Sequence, residues 1–274
     1  MPSQKFGMED LVLTAIEAAF EAGEKILEVY DSDFAVEHKD DKSPLTLADK
    51  KSHEVIVSYL KKTKIPILSE EGKSISYAER KDWNRLWIVD PLDGTKEFVK
   101  RNGEFTVNIA LVENGKPVMG VIYVPVKDEM YFAEKSIGAF KLDFYSAVTS
   151  EMESIETLKA KAFSLPCNKY DSTYTIVASR SHSSPETEDF IKKKKGKYGE
   201  VEIISAGSSL KICMVAEGKA NVYPRFAPTM EWDTAAGQAI AEAAGCKVVQ
   251  KDGKTPLQYN KEDLLNPWFV VIYN

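Results

Sequence analysis

Residues 87–95, Trp-Ile-Val-Asp-Pro-Leu-Asp-Gly-Thr, constrain this chain more than any other stretch. Trp87, Ile88 and Val89 are an apolar run that reads as a buried strand. The run ends in Asp90, and Asp93 follows after a proline and a leucine. Pro91 has no N–H for a ladder and is expected to end the strand. Two carboxylates held together there repel each other unless a cation intervenes. Oxygen-only ligands suit Mg²⁺. Gly94 lets backbone N–H groups approach an anion, and a helix beginning near Thr95 would point its N-terminus at a phosphate. The plainer alternative is a strand-ending turn with an Asp cap. An apolar strand running directly into D-P-x-D-G-T favours the metal and phosphate site.

The chain has 274 residues, 43% apolar and 28% charged, enough for one large domain or two modest ones. Its net charge of −6 argues against a general nucleic-acid binder. An acidic protein that handles phosphate must supply positive charge locally, from metal ions or a few basic side chains. Residues 1–20 mix acids with apolar residues and contain no signal-peptide core. No run reaches the roughly 18 apolar residues of a membrane span. Cys167, Cys213 and Cys246 are far apart and match no metal or redox spacing. They read as reduced thiols, two of them in the core, and a cytoplasmic protein is expected.

Leu11, Ala15, Ala18, Ala22, Ile26 and Val29 recur at helical spacing, predicting a helix over 8–30. A second helix is expected from Thr46 to about Leu60, and a strand over 65–69. Asn114-Gly115 between two apolar runs predicts a hairpin of 106–112 and 116–124. Further strands are expected at 130–133 and 139–142. From 174 onward, strands (174–178, 201–205, 220–223, 247–249, 268–272) and helices (185–195, 208–217, 233–244) indicate an α/β layer structure. The expected division is an N-terminal α+β half over 1–150 and a C-terminal α/β half over 151–274. The lysines at 192–195 and 197 read as a solvated helix end.

Other polar groups fall at element ends. Glu70 follows an apolar strand and could join the carboxylates at Asp90 and Asp93. Thr46 and Asp49 fit a capping box, which does not prevent Asp49 from facing a site. Asp233 opens an Ala-rich helix and reads as a cap. Gly207, Ser208, Ser209 and Lys211 could form a phosphate nest or a plain Ser-capped helix start. His182 and Arg225 each follow a strand, where α/β sheets bind ligands.

Taken together, the stretches 40–49, 68–72, 87–112, 179–182, 207–237 and 264–273 resemble the Mg²⁺-dependent, lithium-sensitive phosphatase superfamily. Its members include inositol monophosphatases, fructose-1,6-bisphosphatases and bisphosphate nucleotidases, and the last group is the most similar. The resemblance implies a five-layered αβαβα sandwich with the site between its halves. It implies metal ligands Glu70, Asp90, the Leu92 carbonyl, Asp93 and Asp233, holding two or three Mg²⁺ ions. Asp49 and Thr95 match the pair that activates the attacking water, and the reacting phosphate would rest on Asp93, Gly94 and Thr95. His182, Gly207, Ser208, Ser209, Lys211, Arg225 and Asp233 are the expected substrate contacts. Residues 141–175 and 183–205 match little.

The substrate choice rests on charge. Lys96-Glu97-Phe98 follows Thr95, and Arg225-Phe226 and Lys211 offer cations and an aromatic ring. Cations suit a second phosphate, and Arg or an aromatic can stack on a base. This favours a small nucleotide bisphosphate, 3'-phosphoadenosine 5'-phosphate cut to AMP, with the phosphosulfate form as a second substrate. Inositol or sugar phosphates are the runner-up, and a non-catalytic nucleotide-binding regulator comes last. A monomer or homodimer is expected.

Overall fold

The computed structural model describes residues 6–32, 44–143, 154–168, 173–178 and 184–273. Its first part comprises α1 (Met8–Tyr30), α2 (Pro44–Leu60), β1 (Ile67–Ser69), α3 (Tyr77–Arg80) and β2 (Arg85–Asp93). There follow α4 (Thr95–Val99), β3 (Thr106–Glu113), β4 (Lys116–Val124), β5 (Glu129–Glu134), β6 (Gly138–Asp143), α5 (Ile155–Lys161) and β7 (Phe163–Ser164). The remainder comprises β8 (Tyr174–Ala178), α6 (Pro185–Tyr198), β9 (Val201–Ser205), α7 (Leu210–Ala216) and β10 (Val222–Arg225). The chain closes with α8 (Glu231–Ala243), β11 (Cys246–Gln250) and β12 (Phe269–Tyr273).

Seven strands form one sheet in sequence order, antiparallel throughout except for the parallel pair β1–β2. A second, five-stranded sheet has the order β11-β12-β10-β8-β9. Alternation along the central strands of the first sheet feeds two cores. Trp87 and Val89, Val107, Ile109 and Leu111, and Val121 and Tyr123 join α1 and α2. Leu86 and Ile88, Ala110 and Val112, and Ile122 and Val124 join α7, α8 and the inner face of the second sheet. Ile176, Val222 and Val270 turn the other way and pack with Phe190 of α6. The layers therefore run helix, sheet, helix, sheet, helix, as the resemblance implies.

Gly120 lets α8 lie close on β4, because a Cβ there would come within 2.3 Å of the Ala236 carbonyl oxygen. That approach carries the N-terminus of α8, with Asp233, to the end of β2. The Asn114-Gly115 hairpin forms as expected, both residues having positive φ (50° and 74°). Cys213 and Cys246 are buried and Cys167 is exposed. Among the described residues no helix is long and apolar enough to cross a membrane.

Three local expectations need correction. The second helix begins at Pro44, not Thr46, since a proline's fixed φ and missing N–H suit a first helical turn. Thr46 therefore lies inside the first turn and is not its cap. Pro91 does not end β2, which continues to Asp93 with a register shift between Asp90 and Asp93. A bulge accommodates the lost donor. The helix expected from Ser208 is the shorter α7, which starts at Leu210.

Candidate metal and phosphate site

The site is built where β2 breaks register. Asp90 continues the parity of Leu86 and Ile88 and so faces α8. It is 1% exposed, and its Oδ1 accepts the Leu92 N–H at 3.1 Å. The bulge is held from behind by Ser52 of α2, whose Oγ donates to the Pro91 carbonyl at 2.7 Å. Gly94 takes φ 97° and caps α4, so the chain turns at once from strand to helix. Thr95 is the first residue of that helix and is exposed.

Asp233 enters from the first turn of α8. It is the third residue of α8 rather than its cap, and its Oδ2 accepts the Met230 N–H at 2.8 Å. The same turn is anchored by buried Glu231, which accepts from the Asn260 N–H at 2.6 Å and from Lys261 Nζ at 2.5 Å. Asp90, Asp93 and Asp233 thereby bring carboxylate oxygens within 4.8 Å of one another.

The electrostatics describe a cluster in need of a cation. Burial pushes Asp90 well above the usual carboxylate range, and Asp93, Glu70, Asp233 and Asp49 push it further. Burial and then Asp93 raise Asp233 to about 7. Asp49 on α2 is raised to about 8 by burial and by Glu71 and Glu70. Glu70 follows β1, where its N–H donates to the Val89 carbonyl at 3.1 Å. Its pKa is raised by desolvation, with Asp93 and Glu71 adding to the shift and a hydrogen bond with Asp90 opposing it. Crowded oxygen donors of one sign fit a hard divalent ion.

Asp93 ties the end of β2 to the loop before α7. Its Oδ2 accepts from Ser208 Oγ at 2.6 Å, Ser209 N at 2.8 Å and Ser209 Oγ at 2.7 Å. The Gly207 N–H donates to Glu104 Oε2 at 2.8 Å. Lys211 is 6% exposed, and its ammonium donates to the carbonyls of Ser208 at 2.7 Å and Ala206 at 3.3 Å. The donors of 207–211 are thus directed at carboxylates and carbonyls of the protein itself. Arg225, at the end of β10, gives one terminal N–H to the Pro228 carbonyl at 2.9 Å. Its buried Nε has no partner among the described residues.

These groups border one cleft, lined by Asp93, Gly94, Asp233, Lys96, Tyr223 and Arg225 among others. His182 lies outside the described residues. Sequence reasoning did not single out Ser52, Glu104, Thr106 or Asn108. The last three sit within 87–112, among motif residues; the strand register sets Asn108 and Thr106 opposite Asp90 and Asp93, and Glu104 accepts from the Gly207 N–H.

The inositol monophosphatase family model matches residues 8–270. The 3'(2'),5'-bisphosphate nucleotidase CysQ of Salmonella typhimurium is 45% identical over 257 residues, 92% of this chain and 96% of that protein. Its counterpart in Escherichia coli K12 is 44% identical over 255 residues, 91% and 94% of the two chains. The crystal structure of CysQ from Bacteroides thetaiotaomicron, a bacterial member of the inositol monophosphatase family, is 57% identical with a TM-score of 0.93. It covers 97% of this chain and 98% of that one. The suppressor protein suhB from Bartonella henselae is 26% identical with a TM-score of 0.71, over 96% and 94% of the two chains. On sequence and fold alike, this chain belongs to the inositol monophosphatase family.

Proposed function

We infer that this chain is a metal-dependent phosphatase that hydrolyses the 3'-phosphate of 3'-phosphoadenosine 5'-phosphate, yielding AMP and inorganic phosphate. One observation carries the reading. Three carboxylates gathered within 4.8 Å adjoin a cleft that also holds Arg225, a cation whose buried Nε has no partner among the described residues. The nucleotidases at 44–45% identity support this substrate class.

Asp90, Asp93 and Asp233 would hold Mg²⁺, and Glu70 and the Leu92 carbonyl would complete the ligand set for two or three ions. Bound there, the ions neutralise charge on the phosphoryl group and on the attacking and leaving oxygens. Phosphoryl transfer asks the protein mainly for positioning. Gly94 and Thr95 open α4 and offer backbone N–H groups to the 3'-phosphate. Asp49 orients the Thr95 hydroxyl, which accepts a hydrogen bond from the attacking water. Arg225 takes the second phosphate through charge-assisted hydrogen bonds, and Ser208 and Ser209 border the substrate while holding Asp93. Lys211 shapes the 206–208 loop around it, and His182 is a substrate contact that the resemblance alone supports.

The test is phosphate release with Mg²⁺ from 3'-phosphoadenosine 5'-phosphate and from inositol 1-phosphate, with and without Li⁺. A nucleotide preference of tenfold or more, blocked by Li⁺, is the expected result. Preference for inositol 1-phosphate would keep the metal site and overturn the substrate. Turnover of neither would overturn the enzymatic reading.

A further inference from the structure

Thr106 and Asn108 stand behind the carboxylate cluster, and no step above uses them. They are two residues apart on β3, so alternation puts both on the face that carries Asp90. The strand register pairs Asp90 with Asn108 and Asp93 with Thr106. Thr106 is 0% and Asn108 1% exposed. Asn108 Nδ2 donates to Ser209 Oγ at 2.9 Å and reaches Asp93 Oδ2 at 3.4 Å. Thr106 Oγ1 lies 2.9 Å from Asn108 Oδ1 and 2.6 Å from Ser208 Oγ.

Counting hydrogens gives this network a direction. Each hydroxyl has one hydrogen to give and a carboxylate has none. Ser208 lies between the Asp93 carboxylate and the Thr106 hydroxyl. Of these, only the threonine can donate back. Ser208 therefore gives its hydrogen to Asp93 and accepts from Thr106, which divides its own between Ser208 and Asn108 Oδ1. Ser209 likewise accepts from the Asn108 amide, and its one hydroxyl hydrogen is shared between Asp93 Oδ2 at 2.7 Å and the Asp233 carbonyl at 3.0 Å, the shorter contact being to Asp93. The chain of donors starts on β3, crosses to the loop before α7 and ends on one oxygen, Asp93 Oδ2.

We propose that Thr106 and Asn108 are positioning residues for the divalent metal. They fix Asp93 in one rotamer with Oδ2 taken up by protein donors, so that Oδ1 is the atom presented to the ion. The proposal rests on the reading of Asp93 as a metal ligand. Because the donors to Asp93 come from the second half and are oriented by β3, metal affinity then depends on how the halves are joined.

The test needs no substrate. Mn²⁺ binding to the purified full chain is followed by the electron paramagnetic resonance signal of free Mn²⁺, for the wild type, Thr106→Val, Thr106→Ser and Asn108→Ala. Groups that orient metal ligands typically contribute about 10–100-fold to affinity. Thr106→Val and Asn108→Ala are expected to weaken Mn²⁺ binding about tenfold, while Thr106→Ser binds like the wild type. At saturating Mg²⁺ the KM for substrate stays put, and the Mg²⁺ concentration giving half-maximal rate rises with the Mn²⁺ constant. Thr106→Val keeps the shape of the side chain, and circular dichroism identifies any variant that fails to fold. Unchanged Mn²⁺ affinity in folded Thr106→Val, or equal weakening in Thr106→Ser, overturns the positioning role and leaves the metal site standing. A wild type that binds no Mn²⁺ overturns the metal site as well.

Discussion

The two walls of the cleft are built on opposite principles. The wall from β2 and α8 gathers acids that repel one another, and burial raises Asp90 and Asp233 further. The wall from the 206–211 loop has its polar groups paired internally, down to Lys211 on two backbone carbonyls. The first wall is unfavourable until a cation arrives, and the second is already satisfied. A group left unsatisfied by the fold is available to a ligand, whereas a satisfied one mostly shapes the space around it. Arg225, with its unpaired Nε, sides with the first.

The sharpest way to break this contrast is Asp90→Asn. It keeps the shape, removes a charge from the cluster and lowers the demand for a cation. Turnover is expected to fall on the order of 10³-fold in kcat, as when a principal charge-stabilising group is lost. In the metal-free protein the same change should raise Tm at alkaline pH, where Asp90 would otherwise be charged against its neighbours. Turnover within tenfold of wild type in a steady-state phosphate assay would sink the assignment of Asp90.

Arg225→Ala comes next. A hydrogen-bonded charge contributes about 1.5–3 kcal/mol, so KM for the nucleotide bisphosphate is expected to rise roughly 10–100-fold. A substrate with a single phosphate should be affected far less. Equal loss for both would mean that Arg225 supports the fold of the cleft rather than a second phosphate.

The first wall was largely legible before the structure and the second was not. The D-P-x-D-G-T order directly after an apolar run already placed Asp90 and Asp93 close together, and the register shift between them lets residues of opposite parity share one site. The approach of Asp233 was suggested by small residues in its helix, and Gly120 on the facing strand completes that fit. What sequence could not give was pairing across distance. Ser208 and Ser209 look like phosphate donors until Asp93, more than a hundred residues earlier, is found on them. Thr106 and Asn108 look like ordinary strand residues until the register places them opposite Asp93 and Asp90. The break at Pro91 was misjudged because a bulge lets a strand survive a lost donor.

A third, smaller effect separates the walls by pH. Asp233 at about 7 and Asp49 at about 8 are raised above the ~3.9 of an unfolded aspartate. The folded, metal-free protein therefore holds more protons than the unfolded chain between about pH 4 and 8, and its stability falls as pH rises through that window. Tm is expected to drop on the order of 5 °C between pH 5.5 and 8.5 without metal. Saturating Mg²⁺ should flatten or reverse the slope, because the ion binds the deprotonated cluster and releases protons. Differential scanning fluorimetry with and without Mg²⁺ reads this directly. Parallel slopes would mean that the ion does not sit on these acids.

The smallest effect tests the satisfied wall. Lys211→Met keeps the length of the side chain and removes the ammonium that donates to the Ser208 and Ala206 carbonyls. If Lys211 is chiefly a brace for the loop, one buried and one half-buried carbonyl lose their partner and stability drops by about 1–3 kcal/mol. For a chain of this length that is a fall in Tm of several degrees. KM for the nucleotide should then change less than it does in Arg225→Ala, and Mn²⁺ affinity should weaken modestly, because the braced loop carries the serines that hold Asp93. If Lys211 instead grips a phosphate directly, KM rises as far as in Arg225→Ala while Tm stays near wild type. Thermal denaturation and KM measured on the same preparation separate the two outcomes, and the second would move Lys211 to the side of the ligand-hungry groups.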